Sequence, residues 1–284
     1  MKRFMALLLV LMMGVMLFSG CTGKKEEAPV EPSTAIAGVE DLEGKTVGTI
    51  VWFGVTDDVL TGMFREAYQV NIAEMKSFDS EAALVMALDT GKIDAAWLRD
   101  FQAGVYVKQV DKYNMFSAAF DKTLAGSARM VAAVNGQAAE DLTKINEALA
   151  QLKEEGVLAE LQQEYITDFD FSKNYESIAM PNFAGAPTYK LSVSGSMVPL
   201  DYIAADGNPT GFSIALLAKV SELTGFNFEL VTLGFGTDRM ELTAGKIDYI
   251  FCYTLTDANM ARETELIFSE PYYTYEGSAF LVKR

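Results

Sequence analysis

Histidine is absent from all 284 residues, and cysteine occurs only at Cys21 and Cys252. Without imidazole the chain lacks the commonest general base, the usual serine-hydrolase triad and most zinc sites. This absence is the strongest argument in the sequence against an enzyme, and neither a cofactor nor a metal is expected. With Cys21 assigned to lipid on the grounds below, Cys252 has no partner, so no intramolecular disulfide is available and the fold must stand on packing. Basic residues are also scarce, 23 Lys and Arg against 39 Asp and Glu, for a net charge of −16. Nucleic-acid binding needs clustered cations to replace counterions, so nucleic acid is not an expected partner. Acidity favours solubility and says little about a small ligand. Long apolar runs are missing too: the longest, Met5 to Leu17, falls short of the roughly 20 residues that span a bilayer comfortably.

That short run has a meaning of its own. Lys2 and Arg3 precede it and Phe18-Ser19-Gly20-Cys21 follow it, the layout of a signal peptide. The small residues before Cys21 resemble a bacterial lipobox, in which the cysteine is lipidated and becomes the mature N-terminus. The expectation is a lipoprotein signal at 1–20 and, at 21–38, lipidated Cys21 with a flexible tether. The stretch TGKKEEAPVEPSTAIA carries paired charges, two prolines and almost nothing apolar, which makes a linker and not a fold. Two or more acyl chains would hold the protein stably on a membrane. The expected location is therefore extracytoplasmic, on a bacterial cell membrane.

Beyond the tether, half the residues are hydrophobic, enough for a sizeable core. Gly-Lys-Ile-Asp occurs twice, at Gly91 to Asp94 and at Gly245 to Asp248. Each copy stands between an apolar helical run and an apolar strand-like run, with the glycine placed to end the helix. From Tyr189 the pattern alternates strand, turn at Asp206 to Pro209, helix from Phe212 to about Thr224, strand from Phe226 to Leu233, helix, Gly245, strand. Such an order predicts a mostly parallel sheet covered by helices, repeated in two α/β lobes, with ligand beyond the carboxyl ends of the strands.

The segments VPLDYIAADGNPTGF, LTAGKIDYIF, TLTDANMAR and FSEPYY, in that order, resemble the first lobe of extracellular solute-binding proteins of the polar amino acid ABC transporter class. The resemblance covers Tyr189 to Arg284. DLEGKTVGTI, ALDTGKIDAAW and INEALAQLKEEGVLAELQQEY resemble blocks that normally follow that lobe, but here they come first. The resemblance thus implies a periplasmic-binding-protein-like type II fold, a two-lobed flytrap, circularly permuted so that the usual second lobe is written first. The expected division is 39–127 for that lobe and 128–284 for the other, with one covalent crossing near 128–134 and helices over 140–166. The second crossing is expected to be split between the chain ends, 277–283 packing beside 35–39.

The resemblance also nominates residues. Arg262 stands near the arginine that would fork onto a ligand carboxylate, although three extra residues intervene. Phe235 aligns with an aromatic cover, Thr254 with a hydroxyl contact, and Cys252 or Tyr253 with a small residue or backbone carbonyl. Ser194 aligns with a small polar contact, and Met197 stands where a stacking tyrosine is common. In the first-written half, Val55, Thr56 and Asp57 lead into a helix whose first amides suit a carboxylate, or are simply capped. The family commonly places an ammonium-binding aspartate five residues after the motif's Asp94. Here that position is Arg99 and the next is Asp100. A bulge would turn Asp100 into the cleft; without one, Arg99 faces it, repels an ammonium, and favours an acidic ligand or one that is not an α-amino acid.

The implied function is a lipid-anchored, monomeric receptor that passes an amino acid or related small carboxylate to an ABC permease. A sensory ligand-binding module is the alternative, and a dehydratase or lytic transglycosylase of this fold a weaker one.

Overall fold

The structure, a computed structural model, describes residues 35–51, 54–234 and 236–284. The signal-like run, Cys21, Trp52, Phe53 and Phe235 lie outside these residues. After a 3-10 turn at Val39–Leu42, the chain forms β1 (Thr46–Ile50), α1 (Asp57–Tyr68), β2 (Glu74–Phe78), α2 (Glu81–Asp89), β3 (Ala95–Arg99), α3 (Asp100–Gln109) and β4 (Tyr113–Phe116). Next come α4 (Ala119–Lys122), β5 (Gly126–Ala133), α5 (Gly136–Glu154), α6 (Val157–Gln162), a π-helical turn at Gln163–Thr167, and β6 (Thr188–Val193). β7 (Ser196–Met197), β8 (Asp201–Ile203) and β9 (Pro209–Thr210) make a small antiparallel sheet. The chain finishes with α7 (Phe212–Thr224), β10 (Asn227–Thr232), α8 (Thr237–Thr243), β11 (Tyr249–Thr256), α9 (Asp257–Met260), β12 (Leu266–Phe268), β13 (Tyr273–Tyr275) and β14 (Ser278–Lys283).

Two mixed sheets organise these elements. One has the order β2-β1-β3-β14-β4; the other has β10-β6-β11-β5-β12, with β13 also paired to β5. β1, β2 and β3 are mutually parallel, as are β6, β10 and β11, which is the arrangement expected from alternating strands and helices.

The doubled motif does the same thing in each sheet. Gly91 and Gly245 take φ of 70° and 69°, a left-handed turn that lets the chain leave α2 and α8. Ile93 and Ile247 are buried. The Asp94 carboxylate then accepts the Thr46 amide at 2.9 Å, and the Asp248 carboxylate accepts the Lys190 amide at 2.7 Å. Each aspartate thereby pins the strand beside its own: Asp94 at the start of β1, Asp248 within β6. The sequence repetition is a repeated solution to strand registry.

Side chains near helix starts complete the local logic. Ser80 accepts the Ala83 amide ahead of α2, and Asn135 accepts the Ala138 amide ahead of α5. The apolar face of α2, with Leu84 and Leu88, packs on Ile93, Ala96, Leu98 and Leu281. On the opposite face of that sheet Phe64, Tyr68, Trp97 and Phe280 form one aromatic cluster. Each fully buried side chain of this size contributes on the order of 1.5–3 kcal/mol.

The interlobe connections differ from the sequence-based expectation. Ser278–Lys283 is an internal strand of the first-written half, flanked by β3 and β4. The last strand therefore does not belong with 128–277. Residues 117–125 carry the chain from β4 to β5, and Glu276-Gly277 carry it back from β13 to β14. Both passages are covalent. A β-carbon on Gly277, whose φ is 143°, would meet the Asp121 carbonyl oxygen at 2.1 Å, so the return passage closes tightly over α4 and requires glycine. Ile36 and Val39 do pack on the cluster holding Phe280 and Val282. Val282 pairs with Ala95, however, at the end of the sheet away from Arg99, so this contact joins chain ends and not a hinge.

Candidate functional site

β1 and β3 end at Ile50 and Arg99; β6 and β11 end near Val193 and Thr256. These ends converge from the two sheets on one cavity of about 460 Å³. Thr49, Ile50, Val51, Val55, Trp97, Leu98, Arg99, Gln102 and Ser278 line it from the first-written half. Ser192 to Ser194, Met197, Gly236, Asp238, Arg239, Ile250 to Thr256 and Asn259 line it from the other. Its size and its mixture of apolar walls with a few polar groups suit a small organic molecule.

The wall at β11 is shaped by an irregularity. The pairing of β11 with β5 slips between Ile250 and Tyr253, and Cys252 takes φ of 57°, unusual for a residue with a β-carbon. The Tyr272 hydroxyl lies 2.7 Å from the Cys252 amide and accepts from it. Cys252 Sγ lies 3.9 Å from Met197 Sδ, and burial, with a smaller effect from Asp201, pushes the thiol up to about 12. The sulfur is therefore a protonated, apolar part of the wall.

The loop after β6 is held by a buried acid. Asp201 accepts the Ser194 amide at 2.6 Å on one oxygen and the Gly195 amide at 2.9 Å on the other. Burial pushes its carboxyl up to about 6, although those same amides favour the ionised form. Beside this loop, Ser192 Oγ is buried without a protein partner and belongs to the cavity wall.

The charged groups divide clearly. Arg239 forks onto Glu263 through both terminal nitrogens, at 2.5 and 2.7 Å, so its charge is matched inside the protein. Asp238 accepts the Arg239 amide at 2.7 Å, and burial raises its carboxyl above the usual range. Arg99 makes no ion pair among the described residues; its guanidinium lies 4.8 Å from the centre of the Tyr275 ring. Gln102 accepts the Arg99 amide at 3.2 Å and donates to the buried Glu81, whose carboxyl burial pushes up to about 7.

Of the residues nominated from the sequence, Ser194, Met197, Cys252, Tyr253, Thr254, Val55 and Arg99 line this cavity. Arg262 does not. It is exposed in the turn after α9, with its amide donated to Asn259, because the extra residues between β11 and β12 form that short helix and carry Arg262 outward. Thr56 and Asp57 lie outside the cavity wall: Thr56 caps α1 through the Val59 amide, and Asp57 accepts the Ser77 hydroxyl at 2.6 Å. Asp100 is also outside the wall. The β3–β14 register is continuous, with Ser278 opposite Arg99, so no bulge rotates Asp100 inward, and its carboxylate accepts the Glu276 amide instead. Phe235 lies outside the described residues.

The sequence reading missed Thr49, Trp97, Gln102, Ser192, Asp238, Arg239 and Ser278. Thr49 and Trp97 could have been found by treating the ends of β1 and β3 as the ends of β6 and β11 were treated. Arg239 had a weaker signal, a charge in the first turn after the Gly234 to Gly236 loop. Gln102 and Ser278 had none, since each arrives through tertiary contacts.

No curated protein matches the sequence. Solved structures similar to the chain include the Bordetella pertussis BvgS VFT2 domain (double mutant F375E/Q461E), at 10% identity and TM-score 0.43, covering 84% of this chain and 80% of that one. The probable amino-acid ABC transporter extracellular-binding protein ytmK of Bacillus subtilis is 12% identical at TM-score 0.42, with 86% and 85% covered. The amino acid ABC transporter substrate-binding protein AbpA of Streptococcus pneumoniae, bound to L-arginine, is 12% identical at TM-score 0.40, with 84% and 81% covered. Residues 27–154 match the family described as NMT1/THI5 like. Residues 189–284 match the family described as bacterial extracellular solute-binding proteins, family 3.

Proposed function

We propose that the protein is an extracytoplasmic receptor that binds a small organic solute between its lobes and delivers it to an ABC permease. The observation that carries this reading is the cavity of about 460 Å³, whose wall is shared by the strand ends of both sheets. A solute held there touches both halves and so favours their closed arrangement, while two covalent passages allow opening without unfolding. No bond in the solute needs to change. In the same reading Cys21 carries lipid, the tether lets the receptor range over a membrane, and the order of halves is that of a circular permutant. The position of β14 supports the permutation: if the family's strand order is restored, the join falls between Arg284 and the segment before β1, away from both passages.

A thermal-shift panel of amino acids, their amine-free carboxylates and other small acids tests the proposal. A ligand at 100 times its dissociation constant stabilises by about 2.7 kcal/mol, a shift of about 5–10 °C in a domain of this size. A shift that is saturable and is lost on blocking the cavity by Ser192→Trp supports it. A panel without any shift removes the small-solute reading.

A further inference from the structure

We infer that the solute this cleft selects is an organic anion without an α-ammonium group, its carboxylate received by Arg99. The inference rests on the solute-receptor reading and narrows it.

Three observations lead there. First, among the described residues Arg99 is the cation of the cavity wall that has no ion pair. It ends β3 at the cleft, half-buried, and its side chain makes no hydrogen bond or ion pair among the described residues. Its guanidinium lies over the face of Tyr275, which attracts a cation without using any of the N–H donors. A planar fork with free donors, set in a partly desolvated wall, fits a carboxylate in two parallel bonds.

Second, among the described residues the wall offers an ammonium no carboxylate that lacks a cationic neighbour. Asp238 is the lining acid among the described residues; one of its oxygens accepts the Arg239 amide, the Arg239 cation acts on it from beside it, and burial raises its carboxyl above the usual range. Glu263 is committed to Arg239. Asp100 faces the return passage and Glu276, and Glu81 faces Gln102. A zwitterion entering this site would bring its positive end near Arg99, and the lining acid Asp238 stands beside a second arginine, Arg239.

Third, Arg99 is held in place. Gln102 bonds the Arg99 amide with its oxygen and Glu81 with its nitrogen, and Ser278 closes the strand beside it. The wall also offers Trp97, Met197 and Tyr253 for a carbon skeleton and the unpartnered Ser192 hydroxyl for an oxygen substituent.

Isothermal titration of matched triples tests this: leucine, 4-methylpentanoate and 3-methylbutylamine; and phenylalanine, 3-phenylpropanoate and 2-phenylethylamine. The expected result is that at least one carboxylate binds about tenfold or more tightly than its amino acid, with the amine silent, the scale of a lost charge-assisted hydrogen bond. Arg99→Gln should weaken that carboxylate by about tenfold or more, and Arg99→Lys by less, since it keeps charge and loses the fork. Arg262→Ala serves as the unaffected control. Thermal melts of each variant separate lost binding from lost folding, and if Arg99→Gln does not fold, Arg99→Lys and the triples still decide. An amino acid that binds more tightly than its carboxylate overturns the inference and leaves the receptor reading standing. Silence from all six compounds overturns both for ligands of this class. Binding of a carboxylate that is indifferent to Arg99→Gln overturns the assignment of the arginine.

Discussion

Ser278 stands opposite Arg99 in the antiparallel register of β14 against β3. The last strand of the chain thus borders the cleft at its start and then runs through the middle of a sheet that begins more than 200 residues earlier in the sequence. Phe280, Leu281 and Val282 on it are essentially inaccessible to solvent.

Phe280→Ala should therefore cost about 3–5 kcal/mol, the range for emptying a buried aromatic site. Phe280 packs against Phe64, Tyr68, Trp97 and Phe116, so the cavity has walls from four neighbours and little means of collapse. Urea unfolding followed by circular dichroism checks it, and a loss under about 1 kcal/mol would show that β14 is dispensable.

Asp201→Asn should destabilise the protein by about 1–3 kcal/mol. Each carboxylate oxygen accepts one amide, from Ser194 and Gly195, and an asparagine has only one accepting atom. One buried N–H is then left facing an NH2 group. Because those amides belong to the loop at the cavity, ligand affinity should fall along with stability. Unchanged affinity in the folded variant would separate the loop from the site.

Much of this arrangement was legible beforehand. The doubled Gly-Lys-Ile-Asp, the helix from Phe212 to about Thr224 and the alternation from Tyr189 onward are local signals, written in glycine geometry and apolar period. They sufficed for two α/β halves and for the strand ends at Ser194 and Thr254. The sheet that accepts β14 was not legible, because an apolar run such as Ser278–Lys283 fits either half equally well and pairing partners far apart in sequence leave no local mark. Arg262 failed for a related reason. Alignment by spacing assumes a constant path, and α9 changed the path between β11 and β12.

Glu81 should make stability fall as pH rises from about 4.5 to about 7. Its carboxyl is pushed up to about 7 in the folded state, from 4.5 when free, chiefly by burial. The unfolded chain therefore releases this proton first, so the folded state is favoured below about 4.5 and loses that advantage as pH climbs through about 7. Asp201 acts in the same direction between 3.8 and about 6. The lowered carboxyls of Asp89, Asp170 and Asp206 act oppositely, but only below their free value of 3.8. Urea midpoints at pH 5 and pH 7.5 should differ less in Glu81→Gln than in the parent. Equal differences in both proteins would remove Glu81 as a source of the slope.

Arg239 and Arg262 offer a paired comparison. Arg239→Ala strips Glu263, whose side chain keeps 16% of its exposure, of a bidentate partner, while the arginine itself is 35% exposed. Water screens part of that loss, which makes about 1–2 kcal/mol the expected cost. Arg262→Ala removes an exposed side chain and should stay within about 0.5 kcal/mol of the parent. The reverse ranking in urea unfolding would put Arg262 in a role that its exposed turn does not suggest. The double variant Arg239→Ala with Glu263→Gln should recover part of the loss, since the cost of the single change is an acid left half-buried without its cation.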